Sequence, residues 1–498
     1  MKVYIKPLHS TIHLPATFFF VIVFSAAIFS SNPTFSQPWV EHGRLTVKAA
    51  NPHYIAFDDG KPFFWFGDTA WELFHRLSRE EAALYLQNRK KKGFNVIQAV
   101  AISEFHENKK TNFYGDSLFV DNDVLQPLTS IDDTANGYWD HLRYIINLAK
   151  QEGLYIGLLP TWGEWVTPRQ HRALFNTPKD GYKYGWFLSN YLKEFPNIIW
   201  ILGGDRNPDE TKNGIDIWRA MAEGITDAIN GDSSHDGRAD YNATFMTHHS
   251  FTSSSKWFHK DPWIDLHMWG SYHSDYYLAR SYQQAAADWS LLQPKPTING
   301  EPAYENHPVN YALAGNGFFT EVDVRNAAYW SMFAGCAGYT YGAHPIWQFS
   351  DDKRPAYSTL TIKSWQEALH LPGAGQITYL KALMTSKPSE GLTPDQTMIV
   401  KGQGAGADYV CAIRSKSHAL FYIPTGAYVT VKLGVISGTN ISASWFDPRT
   451  GSITLIGTYP NKGDRAFDVP GISKEVAWLR SGRGCDWVLL IEDASKRR

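Results

Sequence analysis

Two carboxylic acids stand just after two segments that are predicted as buried strands. Asp205 follows the segment Ile198–Leu202, and Glu301 follows Thr297–Gly300. If both strands belong to one parallel barrel, their carboxyl ends open at the same face and the two acids meet there. Glycoside hydrolysis requires such a pair, because one carboxyl donates a proton while the other attacks the sugar or activates water. Taken singly, Asp205 could instead cap a helix or pair with Arg206.

Tryptophans and further acids stand near other predicted strand ends. Their combination is typical of a sugar subsite, because a carboxylate accepts hydrogen bonds from hydroxyls while an aromatic ring covers the apolar face of the sugar. A structural hydrogen-bond anchor is the alternative for each acid, and a place in the core is the alternative for Trp347. The residues predicted in this way to bind substrate are Asp68, Trp71, Trp162, Glu164 and Trp347.

Histidines near two strand ends raise the question of a metal. His248 and His249 stand at the end of the fifth predicted strand, and His267 lies near the end of the sixth. Neighbouring residues of a strand face opposite sides, so only one of His248 and His249 can reach the mouth of the barrel. The first strand, Phe63–Gly67, lacks the His-x-His pair that metal-dependent amidohydrolase barrels carry there. We therefore predict no metal and no other cofactor, with His248 and His267 as hydroxyl-binding or core residues.

The elements that must position these residues alternate along the chain. Between about residues 40 and 345, short apolar segments and helical patterns follow one another, which is typical of βα units and a parallel sheet. Ser78 and Glu81 form a capping box at the start of one helix, and Gly93 ends it. The predicted strands are Phe63–Gly67, Asn95–Ile102, Tyr155–Pro160, Ile198–Leu202, Thr244–His248, Ile264–Trp269, Thr297–Gly300 and Gly338–Tyr341. Eight strands with intervening helices predict an α/β fold of the (β/α)8 TIM-barrel type.

Three regions are predicted along the chain. Residues 1–36 have the layout of a signal peptide, since Lys2 and Lys6 precede a short apolar core; an N-terminal membrane anchor is the alternative. Residues 37–385 carry the catalytic barrel, preceded by an N-terminal hairpin. Residues 386–498 contain short segments rich in β-branched and aromatic residues without a helical period, which predicts an all-β sandwich domain. No long linker separates the two domains, so we expect them to pack together.

Composition and charge exclude several classes of protein. Lys and Arg number 47 against 49 Asp and Glu, so the chain lacks the basic footprint of a nucleic-acid-binding protein. Three cysteines in 498 residues exclude a disulfide scaffold; Cys411 and Cys485 could pair, although we expect them not to. No cysteine lies near the signal region to accept a lipid. We therefore expect a periplasmic or secreted protein that is not held at the membrane after signal cleavage.

Four segments form a set that is more specific than any one of them: Phe66–Trp71, Gly203–Asp205, Asn299–Pro302 and Trp445–Gly451. Together they resemble the apiosidase-like proteins of glycoside hydrolase family 140. The resemblance implies a (β/α)8 barrel with a C-terminal β-sandwich, release of apiose-linked side chains from the pectin rhamnogalacturonan II, and a retaining mechanism. It also implies that Asp205 is the acid/base and Glu301 the nucleophile. Relatives of the C-terminal domain are labelled collagen-binding, and nothing in this sequence supports that label.

The sequence thus predicts an exported glycoside hydrolase that cleaves a bond in a pectic side chain, with an oligosaccharide or polysaccharide as substrate. A non-catalytic carbohydrate-binding barrel and a metal-dependent hydrolase are the alternatives. Because a proton donor needs a raised pKa, we expect the guanidinium of Arg206 to point away from Asp205. The sugar, the linkage, exo or endo action and the oligomeric state are left open.

Overall fold

The structure is a computed structural model of the chain. By internal contacts the chain separates into Met1–Thr34 and Phe35–Arg498, and of the first unit only Met1 is described. Apart from Met1, the predicted signal peptide of residues 1–36 lies outside the described residues. Among the described residues, no helix is long and apolar enough to cross a membrane. The described residues are Met1, 37–105, 111–129, 137–274, 278–313, 315–359, 361–386, 391–426, 428–470 and 483–496.

A short helix and a small antiparallel sheet cover one end of the barrel. Trp39 and Phe63 pack edge-on against Tyr155, with ring centroids 5.2 and 5.6 Å away. Tyr155 begins a barrel strand, so this layer covers the end opposite to the carboxyl ends of the strands. The layer comprises α1 (Pro38–Glu41), β1 (Leu45–Val47), β2 (Ile55–Phe57) and β3 (Pro62–Phe63). The predicted N-terminal hairpin corresponds to β2 and β3.

The barrel sheet is parallel, and each of the eight predicted barrel strands has its counterpart. The strands are β4 (Trp65–Thr69), β5 (Val96–Val100), β6 (Tyr155–Leu159), β7 (Ile198–Gly203), β8 (Met246–His249), β9 (His267–Gly270), β10 (Thr297–Glu301) and β11 (Gly338–Tyr341). Their hydrogen-bonded order is β8-β7-β6-β5-β4-β11-β10-β9. The end strands lie side by side, because the backbone N–H of Asp265 donates to the carbonyl of Met246 at 2.9 Å. The first strand starts two residues later than predicted, since Phe63 belongs to β3.

Helices fill the intervals between the strands, as the periodicity predicts. The capping box of Ser78 and Glu81 is confirmed at the start of α3, and Gly93 follows this helix with a φ of 80°. After the barrel, α12 packs against α9. The helices are α2 (Leu73–Arg76), α3 (Arg79–Lys91), α4 (Tyr138–Gln151), α5 (Pro178–Leu192), α6 (Gly214–Asn230), α7 (Ser255–Phe258), α8 (Arg280–Trp289), α9 (Glu321–Phe333), α10 (His344–Trp347), α11 (Trp365–Ala368) and α12 (Pro372–Ser386).

The C-terminal domain is a β-sandwich with a core of its own, which includes Phe421, Val431 and Trp445. One sheet has the order β12-β14-β15-β20-β17-β18 and the other β13-β16-β19. Its strands are β12 (Thr393–Pro394), β13 (Ile399–Lys401), β14 (Cys411–Arg414), β15 (His418–Ile423), β16 (Val429–Lys432), β17 (Asn440–Phe446), β18 (Ile453–Pro460), β19 (Asp464–Phe467) and β20 (Trp487–Asp493). The three cysteines of the chain all lie among the described residues, are buried and form no disulfide with one another.

The sandwich packs directly against α9 of the barrel, as the lack of a long linker predicts. Arg325 of α9 donates from Nε and Nη2 to the two carboxylate oxygens of Asp486, at 2.8 and 2.7 Å. Next to this pair, the ring of Tyr422 on β15 stacks on Tyr329, with centroids 4.8 Å apart. A buried ion pair and stacked rings cross the boundary, so the two domains share one interface rather than a flexible joint.

Candidate active site

The chain turns sharply at the carboxyl end of β7 and thereby presents Asp205 to the mouth of the barrel. Gly203 and Gly204 have positive φ angles of 92° and 131°, which favour glycine. A Cβ atom at Gly203 would lie 2.0 Å from the carbonyl oxygen of His249, so a larger residue does not fit. Asp205 itself has a φ of 30°, a conformation that costs a non-glycine residue about 1–3 kcal/mol. Its carboxylate atom Oδ1 is buried without a hydrogen-bond partner among the described residues.

Glu301, the last residue of β10, is buried and held from several sides. The hydroxyl of Tyr304 donates to Oε1 at 2.6 Å, and Nε1 of Trp71 donates in turn to that hydroxyl at 2.8 Å. Nε2 of His249 lies 3.0 Å from Oε2, and Nε2 of His273 lies 3.7 Å from Oε1. The His249 contact is short but lacks the angle of a hydrogen bond, so Oε2 has no such partner among the described residues. Oε1 of Glu301 is thus fixed by a hydrogen bond, whereas Oε2 is available to react with a substrate.

The two carboxyl groups are close together, and their pKa values are shifted in opposite directions. One oxygen of each, with a ring nitrogen of His249, lie within 4.8 Å of one another. Burial raises the pKa of Asp205, and the negative charge of Glu301 raises it further. Burial also acts to raise the pKa of Glu301, but His249 and His273 outweigh it and lower the pKa below the ordinary value. One protonated and one ionised carboxyl can divide the roles of proton donor and nucleophile or base.

The pair lies in a cavity of about 200 Å³. Its walls combine flat rings with a few polar groups, as in sites that bind sugars. Trp71 and Trp162 meet there edge to face, with centroids 5.2 Å apart. Three of the residues predicted to bind substrate, Trp71, Trp162 and Trp347, therefore lie at the cavity. Besides these and the two acids, the lining includes Tyr304, His273 and Glu104.

Glu164 lies outside the cavity lining and anchors the loop that follows β6. It is fully buried, and its Oε1 accepts the backbone N–H groups of Arg169, Gln170 and His171 at 2.7, 2.6 and 3.1 Å. Its Oε2 accepts Nε of Arg206 at 2.8 Å. This position favours a role for Glu164 as a structural hydrogen-bond anchor over a role in substrate binding.

Arg206 turns its guanidinium away from the carboxylate of Asp205, as expected. Its Nη2 lies 2.7 Å from Glu164 and 3.5 Å from Glu104, while Nη1 donates to the backbone carbonyl of Asp205 at 3.1 Å. Burial raises the pKa of Glu104 to about 7, although the charge of Arg206 acts to lower it. Among the residues that the structure describes, the carboxyl of Asp205 therefore has no cationic partner in direct contact.

Asp68 and His267 are strand residues whose side chains point away from the cavity. The Asp68 carboxylate accepts the hydroxyl of Tyr85 at 2.5 Å and Nε of Arg89 at 2.6 Å, both from α3. His267 contacts a ring nitrogen of His259 at 2.9 Å, and burial lowers its pKa to about 3. Neither position supports the predicted role in substrate binding.

The two adjacent histidines of β8 have opposite environments. His248 packs against the rings of Trp218 and Phe258 on the helix side, and burial lowers its pKa. His249 is the one that contacts Glu301. The sequence predicts that only one of the two faces the mouth and that His248 binds substrate, whereas the register of β8 instead favours His249.

Several cavity residues escaped the sequence analysis. Glu104 follows the second predicted strand, so the rule that selected Asp205 and Glu301 could have found it. Tyr304, three residues after Glu301, gave a weaker signal of the same kind. His273 gave none, because it reaches the site through the fold of the loop after β9. These residues surround the acids from separate loops.

The same site could hold a metal ion. Asp205, His249 and Glu301 are the group that, among the described residues, offers ligand atoms at suitable spacing. One imidazole nitrogen with two carboxylate oxygens is a donor set that zinc accepts. A metal bound there would engage both carboxylates and withdraw them from proton transfer. A metal at this position and a two-carboxylate mechanism therefore exclude each other.

Comparison with known proteins decides the family. The model described as the apiosidase-like catalytic domain matches residues 49–390, more than half of the chain. The chain belongs to the apiosidase-like family. A solved structure titled "Glycoside hydrolase" is 32% identical, with 93% of this chain and 99% of that one covered and a TM-score of 0.82. A Bacteroides vulgatus structure titled a glycoside hydrolase of family 5 is 31% identical, with 93% and 95% covered and a TM-score of 0.81. This apiosidase-like chain is thus a glycosidase with a carbohydrate substrate.

The C-terminal domain of the apiosidase-like chain matches a second family model. That model is described as a collagen-binding domain of a collagenase and covers residues 393–492. The collagen-binding label is therefore found here as well, but it describes the model and assigns no ligand to this sandwich. Among curated proteins, none matches the sequence closely enough to count as a relative.

Proposed function

We propose that this protein is an exported retaining glycosidase of glycoside hydrolase family 140 that cleaves an apiose-linked bond in a pectic side chain. The closeness of the Asp205 and Glu301 oxygens, within 4.8 Å, carries the retaining mechanism. The two carboxyl groups of retaining enzymes stand about 5–5.5 Å apart, whereas inverting pairs stand about 6.5–9.5 Å apart to admit a water molecule. The spacing here supports direct attack on the sugar.

The proposed reaction has two steps. In the first, ionised Glu301 attacks the anomeric carbon while Asp205 transfers its proton to the leaving oxygen, so the glycosidic bond breaks and a glycosyl ester forms. In the second, Asp205 takes a proton from water, and that water attacks the same carbon and releases Glu301 as carboxylate. Two displacements at one carbon retain its configuration.

The charge of Glu301 helps Asp205 to change roles between the steps. In the free enzyme this charge raises the pKa of Asp205 and keeps the proton donor loaded. Esterification of Glu301 removes the charge, so the pKa of Asp205 falls and the group becomes a base. The hydrogen bond from Tyr304 keeps the attacking carboxylate in place.

Different features of the protein support the substrate and the location. Family membership and the aromatic cavity walls support a sugar, and the apiosidase-like motifs around Asp205 and Glu301 support an apioside. Lys2, Lys6 and the apolar segment after them support export, as described for the sequence.

Incubation with rhamnogalacturonan II fragments tests the proposal. Wild-type protein should release products with apiose at a new reducing end, and the Glu301→Ala variant should release none. Chromatography and mass spectrometry of the products identify the sugar. Cleavage of other glycans but not of these fragments would overturn the substrate and keep the glycosidase.

A metal-dependent hydrolase is the second candidate, because Asp205, His249 and Glu301 could hold an ion. In that case activity would need the metal, and chelation would remove it. A non-catalytic carbohydrate-binding barrel would bind glycans without turnover; the opposite pKa shifts of the two neighbouring acids favour catalysis over that alternative.

A further inference from the structure

We infer that a second cavity beside the catalytic pair binds a sugar residue of the leaving group, so that the enzyme cleaves oligosaccharides in preference to simple glycosides. This inference rests on the proposed roles of Asp205 and Glu301. The second cavity is lined by Glu104, Phe105, Gln170, His171, Arg206 and Tyr357. Glu104 and Phe105 also line the catalytic cavity, so the two spaces meet at these residues.

The second cavity meets the catalytic one beside the proton donor, because Glu104 lines both cavities and is close enough for its charge to act on Asp205. Arg206 lines the second cavity, and Arg206 follows Asp205 directly in the chain. Glu301, by contrast, is surrounded by Tyr304 and His273 in the catalytic cavity. Because the acid delivers its proton to the leaving oxygen, the leaving group must lie on the acid's side of the scissile bond. The position of the second cavity therefore suits the leaving group and not the sugar that Glu301 attacks.

A strip of aromatic rings runs from one cavity into the other. Phe105 stacks on Tyr357 with centroids 5.1 Å apart and an angle of 3° between the ring planes, and its centroid lies 5.5 Å from that of Trp347. Trp347 lines the catalytic cavity, and Tyr357 lines the second one. Phe105 remains 39% exposed, so a large apolar face is open at the junction. A sugar ring that lies on such a face covers it without losing the hydrogen bonds of its hydroxyls.

Polar groups of the second cavity are held in fixed positions. Arg206 bridges Glu104 and Glu164, at 3.5 and 2.7 Å. Glu164 in turn fixes the backbone of Gln170 and His171, which belong to the same wall. Carboxylate and guanidinium groups that are already oriented bind hydroxyls with little loss of side-chain entropy. An apolar strip in one cavity with fixed polar groups is the arrangement of a sugar site rather than of a site for an apolar aglycone.

The test compares two substrates that share the sugar attacked by Glu301. Apiosyl fluoride has a leaving group of one atom, which cannot reach the second cavity, whereas an apiosyl disaccharide can fill it. In the Phe105→Ala variant, kcat/KM should fall at least about fivefold more on the disaccharide than on the fluoride, mainly through KM. Phe113→Ala is the matched control, because Phe113 is 45% exposed and belongs to neither cavity lining.

Equal losses on the two substrates in Phe105→Ala would overturn the inference while leaving the glycosidase intact. If wild-type protein cleaves neither compound, the proposed apiosidase function fails. The second cavity is then tested by measuring oligosaccharide binding instead of turnover. Calorimetry with rhamnogalacturonan II oligosaccharides should show weaker binding to the double variant Glu301→Gln/Phe105→Ala than to Glu301→Gln alone. Equal or absent binding in these two proteins would overturn the second site as well.

Discussion

The Nε2 atom of His249 lies 3.0 Å from Oε2 of Glu301, and both side chains are buried. His249 ends β8 and Glu301 ends β10, so the barrel brings together residues that are far apart in the chain. A ring at this distance stabilises the ionised form of the carboxyl group. His249, with His273, thereby lowers the pKa of Glu301 against the effect of burial and keeps the proposed nucleophile ready.

Replacement of His249 by Ala should shift the acid side of the pH–activity profile to higher pH. Glu301 acts when ionised, that is, above its pKa, and loss of His249 raises that pKa. Measurement of kcat/KM against pH reports the change in the free enzyme. His248→Phe is the control, because His248 packs among aromatic rings and should leave the acid limb in place. If the acid limb of His249→Ala is not shifted, groups other than His249 lower the pKa of Glu301.

Replacement of Asp205 by Ala should abolish the alkaline limb of the same profile. Asp205 acts as a donor when protonated, that is, below its raised pKa, so wild-type activity falls as pH rises through that pKa. The variant should lose about 10²–10⁴ in kcat on substrates with poor leaving groups. It should lose far less on a fluoride, whose departure needs little protonation. Equal losses on both substrates contradict the role of proton donor.

Replacement of Glu301 by Ala should lower kcat by about 10³-fold or more, because the covalent step is removed. Added azide should restore part of the turnover and yield a glycosyl azide of opposite anomeric configuration to the substrate. Nuclear magnetic resonance of the product identifies the anomer. An inverted sugar as the first product of the wild-type enzyme would exclude the retaining mechanism.

Activity should survive exhaustive treatment with EDTA. Two carboxyl groups suffice for the proposed chemistry, and a metal between Asp205, His249 and Glu301 would occupy both of them. Residual rates after chelation and gel filtration, with metal content measured on the same sample, give the answer. A loss that zinc restores would favour the metal-dependent hydrolase.

The ion pair between barrel and sandwich should contribute to stability. Arg325→Met leaves Asp486 buried without its partner, and we expect the free energy of unfolding to fall by about 3–5 kcal/mol. The double variant Arg325→Met/Asp486→Leu removes both charges and should recover most of the loss. Denaturant unfolding measures the three proteins. Wild-type stability in Arg325→Met would mean that the domains do not depend on this contact.

Local sequence determined most of the fold. The segments that became β6, β7 and β10 were recognisable because buried parallel strands are short, apolar and bounded by turns. The predicted start of the first strand, Phe63, differs by only two residues from the observed start of β4. Asp205 and Glu301 were recognisable for a related reason. Each follows such a segment across glycine, and the carboxyl ends of parallel strands share one face of the barrel.

The tertiary structure alone decided which neighbouring side chains reach the site. The register and tilt of β4 and β8 turn Asp68 toward α3 and His249, rather than His248, toward Glu301, and a shift of one residue would reverse both. Glu104 and His273 reach the cavity because their loops fold across the barrel mouth through contacts distant in sequence. A chain encodes the spacing of its own residues locally, whereas the meeting of residues from different loops depends on packing of the whole barrel.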